Sequence, residues 1–419
     1  MALTAVEQSV VDAVDPDAIL GDLAALVSIP SVGGSAGEIA VQQWCAQRLA
    51  ELGASVDHWK IDLDELRSTD DYPGEEVDRD EAYGCVGVFG DNTERPGLIL
   101  SGHTDVVPPG DPARWTHHPW RLSRENDVLY GRGAADMKAG VAAVVGALGA
   151  LRAQQVTLRR PLAVHAVIGE EDGGVGAYAT VRRGHLGAAC VIAEPTDAST
   201  ILANAGSLTF RIEVPGRAAH GSSRLEGHSA LDAALPVLTA LSDLETRRNR
   251  DVDPVLGHLD LPYPVSVGIV RAGDWASTVP DVLIAEGRYG VRLDEPVERA
   301  RAEFEAAVAD ACAADPWLSA HPARVIWPGG VFASGRLPAG HHLLADASRA
   351  ALDTEGWEPA ARGAPYGSDL RQYAAAGVPT ILLGPGSVAS AHTVDESVSL
   401  GEIVAFARVY AVLALRLCG

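Results

Sequence analysis

The sequence lacks most of the features that would place it in a special class. Its 419 residues include only five cysteines, Cys45, Cys85, Cys190, Cys312 and Cys418, scattered and without a C-x-x-C pair. That excludes a disulfide framework and a thiolate zinc site, and leaves reduced, mostly buried thiols. Basic charge is scarce: 33 Lys and Arg against 56 Asp and Glu give a formal net charge of −23. Such a molecule repels polyanions, so neither nucleic acid nor an anionic membrane surface is a partner to expect. No basic residue precedes Arg48, whereas Glu7, Asp12, Asp15 and Asp17 do, the reverse of a secretory leader. The longest apolar runs, Ala139–Leu151 and Ile403–Leu417, the latter broken by Arg408 and Arg416, are too short or too charged to span a bilayer. The expected address is the cytoplasm.

What is present fits a globular enzyme-sized chain. At roughly 150 residues per domain the length allows two or three domains, and 47% hydrophobic residues with 44 glycines fit a Gly- and Ala-rich α/β protein rather than a disordered one. Leu98–Leu100, Leu162–Ile168, Cys190–Ala193 and Thr380–Leu383 are short apolar runs with little alternation, as strands buried on both faces of a largely parallel sheet require. Ala139–Leu151 is apolar all round and fits a helix inside the domain. Ser35-x-x-Glu38 and Ser399-x-x-Glu402 read as capping boxes opening helices over 35–52 and roughly 400–417.

Between 205 and 327 the pattern changes. Leu208, Phe210, Ile212 and Val214 alternate with Thr209, Arg211 and Glu213, which marks a strand with one wet face. The order from there is strand 207–214, helix 229–247, strand 265–271, strand 281–291, a helix from Pro296 to about Cys312, and strand 323–327. This is the β-α-β-β-α-β order of ferredoxin-like units, with Pro236 expected to kink or split the first helix. The reading is therefore a discontinuous α/β domain, 1–204 with 328–419, its mainly parallel sheet carrying helices on both faces, and an inserted α+β unit over 205–327. No internal repeat is visible. Asp62–Glu81, with twelve of twenty residues charged, reads as a surface excursion.

Four of the apolar strands are each followed closely by metal-ligand side chains: His103 and Asp105, Glu170 and Glu171, Glu194, and His392. Ligands of open α/β sheets gather outside the carboxyl ends of strands. Asp136 sits just ahead of the apolar helix. Taken singly, each residue has an ordinary structural explanation; their coincidence at strand ends does not. Two imidazoles and several carboxylates without thiolate favour zinc, cobalt or manganese in a catalytic type of site. His117, His118, His341 and His342 follow no strand end and read as surface residues.

Ser101-Gly102-His103-Thr104-Asp105, Gly131-Arg132-Gly133 through Asp136-Met137-Lys138, Gly169-Glu170-Glu171, Ala193-Glu194-Pro195-Thr196 and Ala391-His392 resemble, in order, the signatures of the zinc-dependent exopeptidase/deacylase family. That family includes acetylornithine deacetylase, succinyl-diaminopimelate desuccinylase, aminoacylase and glutamate carboxypeptidase. The resemblance covers about 20–419 and implies an inserted lid and dimerisation domain. It implies two divalent ions, zinc with cobalt or manganese as substitutes, bridged by Asp136. His103 and Glu194 complete one site, Glu171 and His392 the other. Glu170 is then the base, and Asp105 orients His103 by accepting its second ring N–H.

The resemblance also implies that His220 reaches across a homodimer to stabilise the oxyanion. Arg288 suits a substrate carboxylate, and Ser368, in Gly367-Ser368-Asp369, falls near the substrate's distal end. Ser277-Thr278-Val279-Pro280 departs from the family's Asn-x-x-Pro by placing Ser277 where the family has Asn, which leaves the substrate open. The implied activity is removal of an N-acyl group from an amino acid. A carboxypeptidase or dipeptidase acting on short peptides is the same-class alternative, and a non-catalytic metal-dependent binding protein is the alternative from another class. Dinucleotide binding is excluded because no G-x-G-x-x-G follows a strand.

Overall fold

The computed structural model describes residues 2–91 and 93–419. They form two compact units: one runs up to Ala203 and adds Arg336–Arg362 and Ser368–Gly419, the other comprises Asn204–Gly335 with Gly363–Gly367.

The first unit is built on a mixed sheet. Its strands run in the spatial order Ser55–Lys60, Tyr83–Phe89, Leu162–Val167, Leu98–His103, Cys190–Ile192, Thr380–Leu382 and Thr200–Asn204. Leu162–Val167, Leu98–His103, Cys190–Ile192 and Thr380–Leu382 are mutually parallel and buried along their whole length, which is why their sequences are apolar without alternation. The outer Ser55–Lys60 strand is antiparallel and half wet. His103 lies opposite Val167 and Leu382 opposite Ile192. Parallel pairing in this register delivers His103, the turn after Val167, and Glu194 to the same edge of the sheet.

Helix Ala139–Ala153 is buried on nearly every side. Gly140 is needed there, because a Cβ at this position would come within 2.0 Å of the Ala193 carbonyl oxygen. The helix thus packs its backbone directly under the strand end that carries Glu194. Helix Leu400–Cys418 opens with Ser399 Oγ accepting the Glu402 N–H at 3.1 Å, as its sequence predicts.

Three expectations need correction. Ser35 precedes helix Ala36–Glu51 but makes no side-chain cap; the Glu38 carboxylate that would complete the box is engaged by Arg79 instead, at 2.9 Å on both oxygens. Segment 62–81 is not simply a surface excursion: it contains the short helix Leu63–Arg67, buries Leu63 and Leu66, and carries Arg79 into the interior. Pro236 does not split its helix, which runs unbroken from Ala230 to Arg248. The carbonyl that loses its partner belongs to Asp232, an exposed residue, where water can replace the missing N–H.

The second unit has an antiparallel sheet in the order Val265–Ala272, Val282–Val291, Gly206–Pro215, Arg324–Ile326, with helices Ala230–Arg248 and Val297–Ala314. Leu208, Phe210, Ile212 and Val214 all point into its core, where Phe210 meets Phe304 at 4.7 Å between ring centroids. The period-two pattern thus marks the buried face.

Candidate metal centre

His103, the last residue of its strand, is almost fully buried. Its Nδ1 hydrogen-bonds with the backbone carbonyl oxygen of Asp105 at 2.9 Å, leaving Nε2 to face Asp136 Oδ1 at 3.1 Å and Glu194 Oε2 at 3.8 Å. The Asp105 carboxylate was expected to orient this ring. It stands 3.6 Å from Nδ1, and its other oxygen accepts the Glu171 N–H at 3.2 Å. A rigid backbone carbonyl two residues on fixes the imidazole, so the side chain is free to hold the neighbouring turn.

His392 approaches from the other side. It adopts a positive φ of 60°, an uncommon conformation for a residue with a side chain and one that clusters at functional positions. Its Nε2 lies 3.0 Å from Glu171 Oε2 and 3.5 Å from Asp136 Oδ2. Asp136 therefore turns one carboxylate oxygen to each histidine. Ligand atoms of His103, Asp136 and Glu171, and of His103, Glu170 and Glu194, lie within 4.8 Å of one another. Glu170 thus sits within reach of the same space as the other carboxylates.

The electrostatics show a surplus of negative charge. Burial, joined by repulsion from Glu194, pushes the Glu170 carboxyl well above the usual range; burial and then Asp136 raise Glu171. Glu194 is also pushed well up, chiefly by burial. Burial alone would lower His103, yet Glu194, Asp105 and Asp136 outweigh it and hold the imidazole well above its ordinary value. Several buried carboxylates around two imidazole nitrogens form a hard, oxygen-and-nitrogen donor set that a divalent cation neutralises. The residues fit such an ion.

A model of Peptidase family M20/M25/M40 matches residues 99–416. The chain belongs to this family. It is a metal-dependent amide hydrolase. It is 26% identical over 393 residues to the N-formyl-4-amino-5-aminomethyl-2-methylpyrimidine deformylase of Bacillus subtilis, covering 88% of this chain and 87% of the relative. With acetylornithine deacetylase of Proteus mirabilis it shares 29% identity over 319 residues, 73% of this chain and 76% of the relative. Human carnosine dipeptidase 1 superposes with a TM-score of 0.76 at 17% identity, covering 99% of each chain. An M20 metallo-carboxypeptidase from Sulfolobus solfataricus superposes with a TM-score of 0.74 at 13% identity, over 95% of this chain and 99% of the other. The likeness to these two structures is one of fold.

Within the first unit of this M20 chain, Ser368 is buried, its Oγ accepting the Leu370 N–H at 3.3 Å. His220 and Ser277 are exposed residues of the second unit; Gly221, next to His220, donates its N–H to the Ser277 carbonyl at 2.6 Å. Arg288 lies on strand Val282–Val291 with its guanidinium 6.0 Å from the Phe332 ring centre. Of the four histidines read as surface residues, His118 and His342 are exposed, whereas His117 and His341 are half-buried, His117 stacking on Tyr130 at 4.3 Å.

One residue escaped the sequence reading and another was read only as part of a motif. Glu396 is fully buried and accepts from Arg132 Nη1 at 2.5 Å and from the N–H groups of Gly133, Ala135 and Asp136 at 2.8 to 2.9 Å. Asp369 is 1% exposed, and neither carboxylate oxygen has a hydrogen-bond partner among the described residues. A spacing of four from His392 was the available signal for Glu396; Asp369 lay in the Gly367-Ser368-Asp369 element, where only Ser368 was singled out.

Proposed function

We propose that this hydrolase holds two divalent metal ions, zinc in the first instance, and removes an N-acyl group from an amino acid. The observation that carries the reading is Asp136, whose two oxygens face separate imidazoles, His103 and His392. His103, Asp136 and Glu194 would hold one ion; Asp136, Glu171 and His392 the other. When bound, such ions supply the Lewis acidity that polarises an amide carbonyl and lowers the pKa of an attacking water.

The protein's own residues do the rest. Glu170 takes the water's proton and passes it to the departing amine, a role that a carboxylate raised by burial suits because its proton affinity approaches that of the groups it serves. Asp105, through the Glu171 N–H, keeps the Glu170–Glu171 turn in place. By the family resemblance His220, reaching across a homodimer, stabilises the oxyanion; Arg288 suits a substrate carboxylate, Ser277 bears on which substrate is taken, and Ser368 falls near its distal end.

The reading includes a homodimer formed through the second unit and a cytoplasmic location. Strand Val265–Ala272 is a sheet edge, with Ile269 and Val270 nearby at 41% and 52% exposed and Trp275 at 73%. Exposed apolar edges of this kind are covered by pairing in soluble proteins. The five thiols are all buried and free, in keeping with a reducing compartment.

The test is a panel of N-acetyl, N-formyl and N-succinyl amino acids set against dipeptides, assayed with zinc or cobalt added. Preference for the acyl compounds by tenfold or more in kcat/KM is the expected result. Preference for dipeptides would replace deacylation with peptidase activity, and no cleavage of either would overturn the reading. Sedimentation of a fully active monomer would remove the dimer.

A further inference from the structure

The Glu170–Glu171 pair sits in a tight turn whose base is closed by the Gly174 N–H donating to the Gly169 carbonyl at 2.6 Å. Gly169, Gly173 and Gly174 flank it, all at positive φ, and above the closed base the apex has one long bond, the Gly173 N–H to the Glu170 carbonyl at 3.5 Å. A turn bounded by glycines has many accessible backbone conformations. Something outside it must fix where its carboxylates point.

Arg79 does so from segment 62–81. Its guanidinium is wholly buried between two carboxylates. Nε and Nη2 donate to Glu38 at 2.9 Å each, while Nη1 and Nη2 donate to Asp172 at 2.7 and 2.8 Å. Both contacts are bidentate, the geometry in which the planar fork positions most firmly. Asp172 follows Glu171 directly, and its Oδ2 also accepts the Val77 N–H at 3.0 Å. The Glu76 N–H donates to the Asp172 carbonyl at 3.1 Å. The approach is close: a Cβ on Gly173 would lie 2.2 Å from the Gly74 carbonyl oxygen. On its outer side the segment is tied down by Arg67 Nη2 donating to the Arg79 carbonyl at 3.1 Å, and by Thr69 Oγ1 bonding Tyr178 OH at 2.7 Å.

We propose that Arg79 is a positioning residue for the Glu170–Glu171 pair, acting through Asp172, and that segment 62–81 is thereby a working wall of the catalytic centre. The inference rests on the hydrolase reading for the roles of Glu170 and Glu171, but the clamp itself has a readout that does not. Arg79 touches no reacting atom. It converts a glycine-flanked turn into a fixed platform, held on one side by Asp105 at the Glu171 N–H and on the other by the Arg79–Asp172 pair. Misplacing a catalytic group by about 1 Å is worth roughly a hundredfold in rate, so the clamp acts on kcat rather than on substrate affinity.

The experiment uses the full chain with Arg79→Lys, Asp172→Asn and the double variant. Lysine keeps the charge but cannot make two bidentate contacts. In the metal-free proteins, amide hydrogen exchange over 168–176 should rise at least tenfold in each single variant, while helix Ala139–Ala153 stays within about threefold of wild type. With zinc restored and the most rapidly cleaved substrate, kcat should fall at least tenfold with KM within threefold. The double variant should be no worse than the poorer single, because the two residues act as one unit.

Unchanged exchange over 168–176, a kcat within twofold of wild type per folded molecule, or additive losses in the double variant would each overturn the proposal. A lower melting temperature with normal kcat would mark a purely structural pin and overturn it too. If Arg79→Lys does not fold, Asp172→Asn carries the same test alone. If wild type cleaves nothing, the hydrolase reading fails, and the exchange measurement still decides whether the clamp holds the turn.

Discussion

Glu396 accepts the backbone N–H of Asp136 at 2.9 Å, so the segment that carries His392 also holds the residue whose two oxygens face both histidines. Replacing Glu396 by Gln removes the charge opposite Arg132 and one of the two acceptor oxygens. Breaking a buried pair on one side costs about 3–5 kcal/mol, and loss of an outer-shell partner typically weakens metal binding 10- to 100-fold. Urea denaturation and zinc competition against a chelator should show both losses in Glu396→Gln. Normal zinc affinity in a folded variant would detach Glu396 from the centre.

Glu170→Gln separates proton transfer from metal binding. The amide is nearly isosteric but cannot take up a proton, so kcat should fall by about 10²- to 10⁴-fold. Bound metal, measured by elemental analysis after dialysis, should stay at the wild-type level. A variant that retains turnover would move the base elsewhere.

Metal removal should act on stability as well as activity. An ion that binds only the folded chain stabilises it by about 3 kcal/mol at a hundredfold excess over its Kd. Dialysis against a chelator should therefore abolish hydrolysis and lower the denaturation midpoint, with zinc or cobalt restoring both. Full activity after exhaustive chelation would contradict the family's chemistry in this chain.

His165 predicts a pH dependence that lies outside the metal centre. Burial, assisted by the nearby His185, lowers its pKa to about 3, and its Nδ1 bonds the Tyr373 hydroxyl at 2.9 Å. The native imidazole stays neutral while the unfolded one titrates near 6.5. Its contribution is complete above about pH 6.5 and is lost progressively as pH falls towards 3. Between pH 7.5 and 5 this component amounts to about 2 kcal/mol at 1.4 kcal/mol per unit. His165→Gln should lose less stability over that interval than wild type, by urea denaturation at the two pH values. Equal losses would mean that the imidazole is already charged in the fold.

The parts legible in the sequence are those whose physics is local. Apolar runs without alternation must be strands covered on both faces, and a ligand placed just after such a run is delivered to one edge by parallel pairing, as His103, Glu170 and Glu194 are. The alternation around Phe210 likewise fixed which face is buried. Arg79, Glu38 and Asp172 could not be read this way, since each looks like a solvated charge until the chain brings them together across long sequence separations. The composition of 62–81 pointed outwards because charge content carries no information about whether an opposite charge waits inside. Ser35 illustrates the same limit: the capping pattern is present, but Arg79 competes for Glu38 and wins with one bidentate pair of hydrogen bonds.

His392, Glu396 and strand Thr380–Leu382 all follow the second unit in the chain. A ribosome therefore finishes that whole unit before it supplies the imidazole and carboxylate that close the cluster around Asp136. Until Thr380–Glu396 is made the chain has His103, Asp136, Glu171 and Glu194 in hand but not these companions, so the cluster around Asp136 cannot close before the second unit has been synthesised.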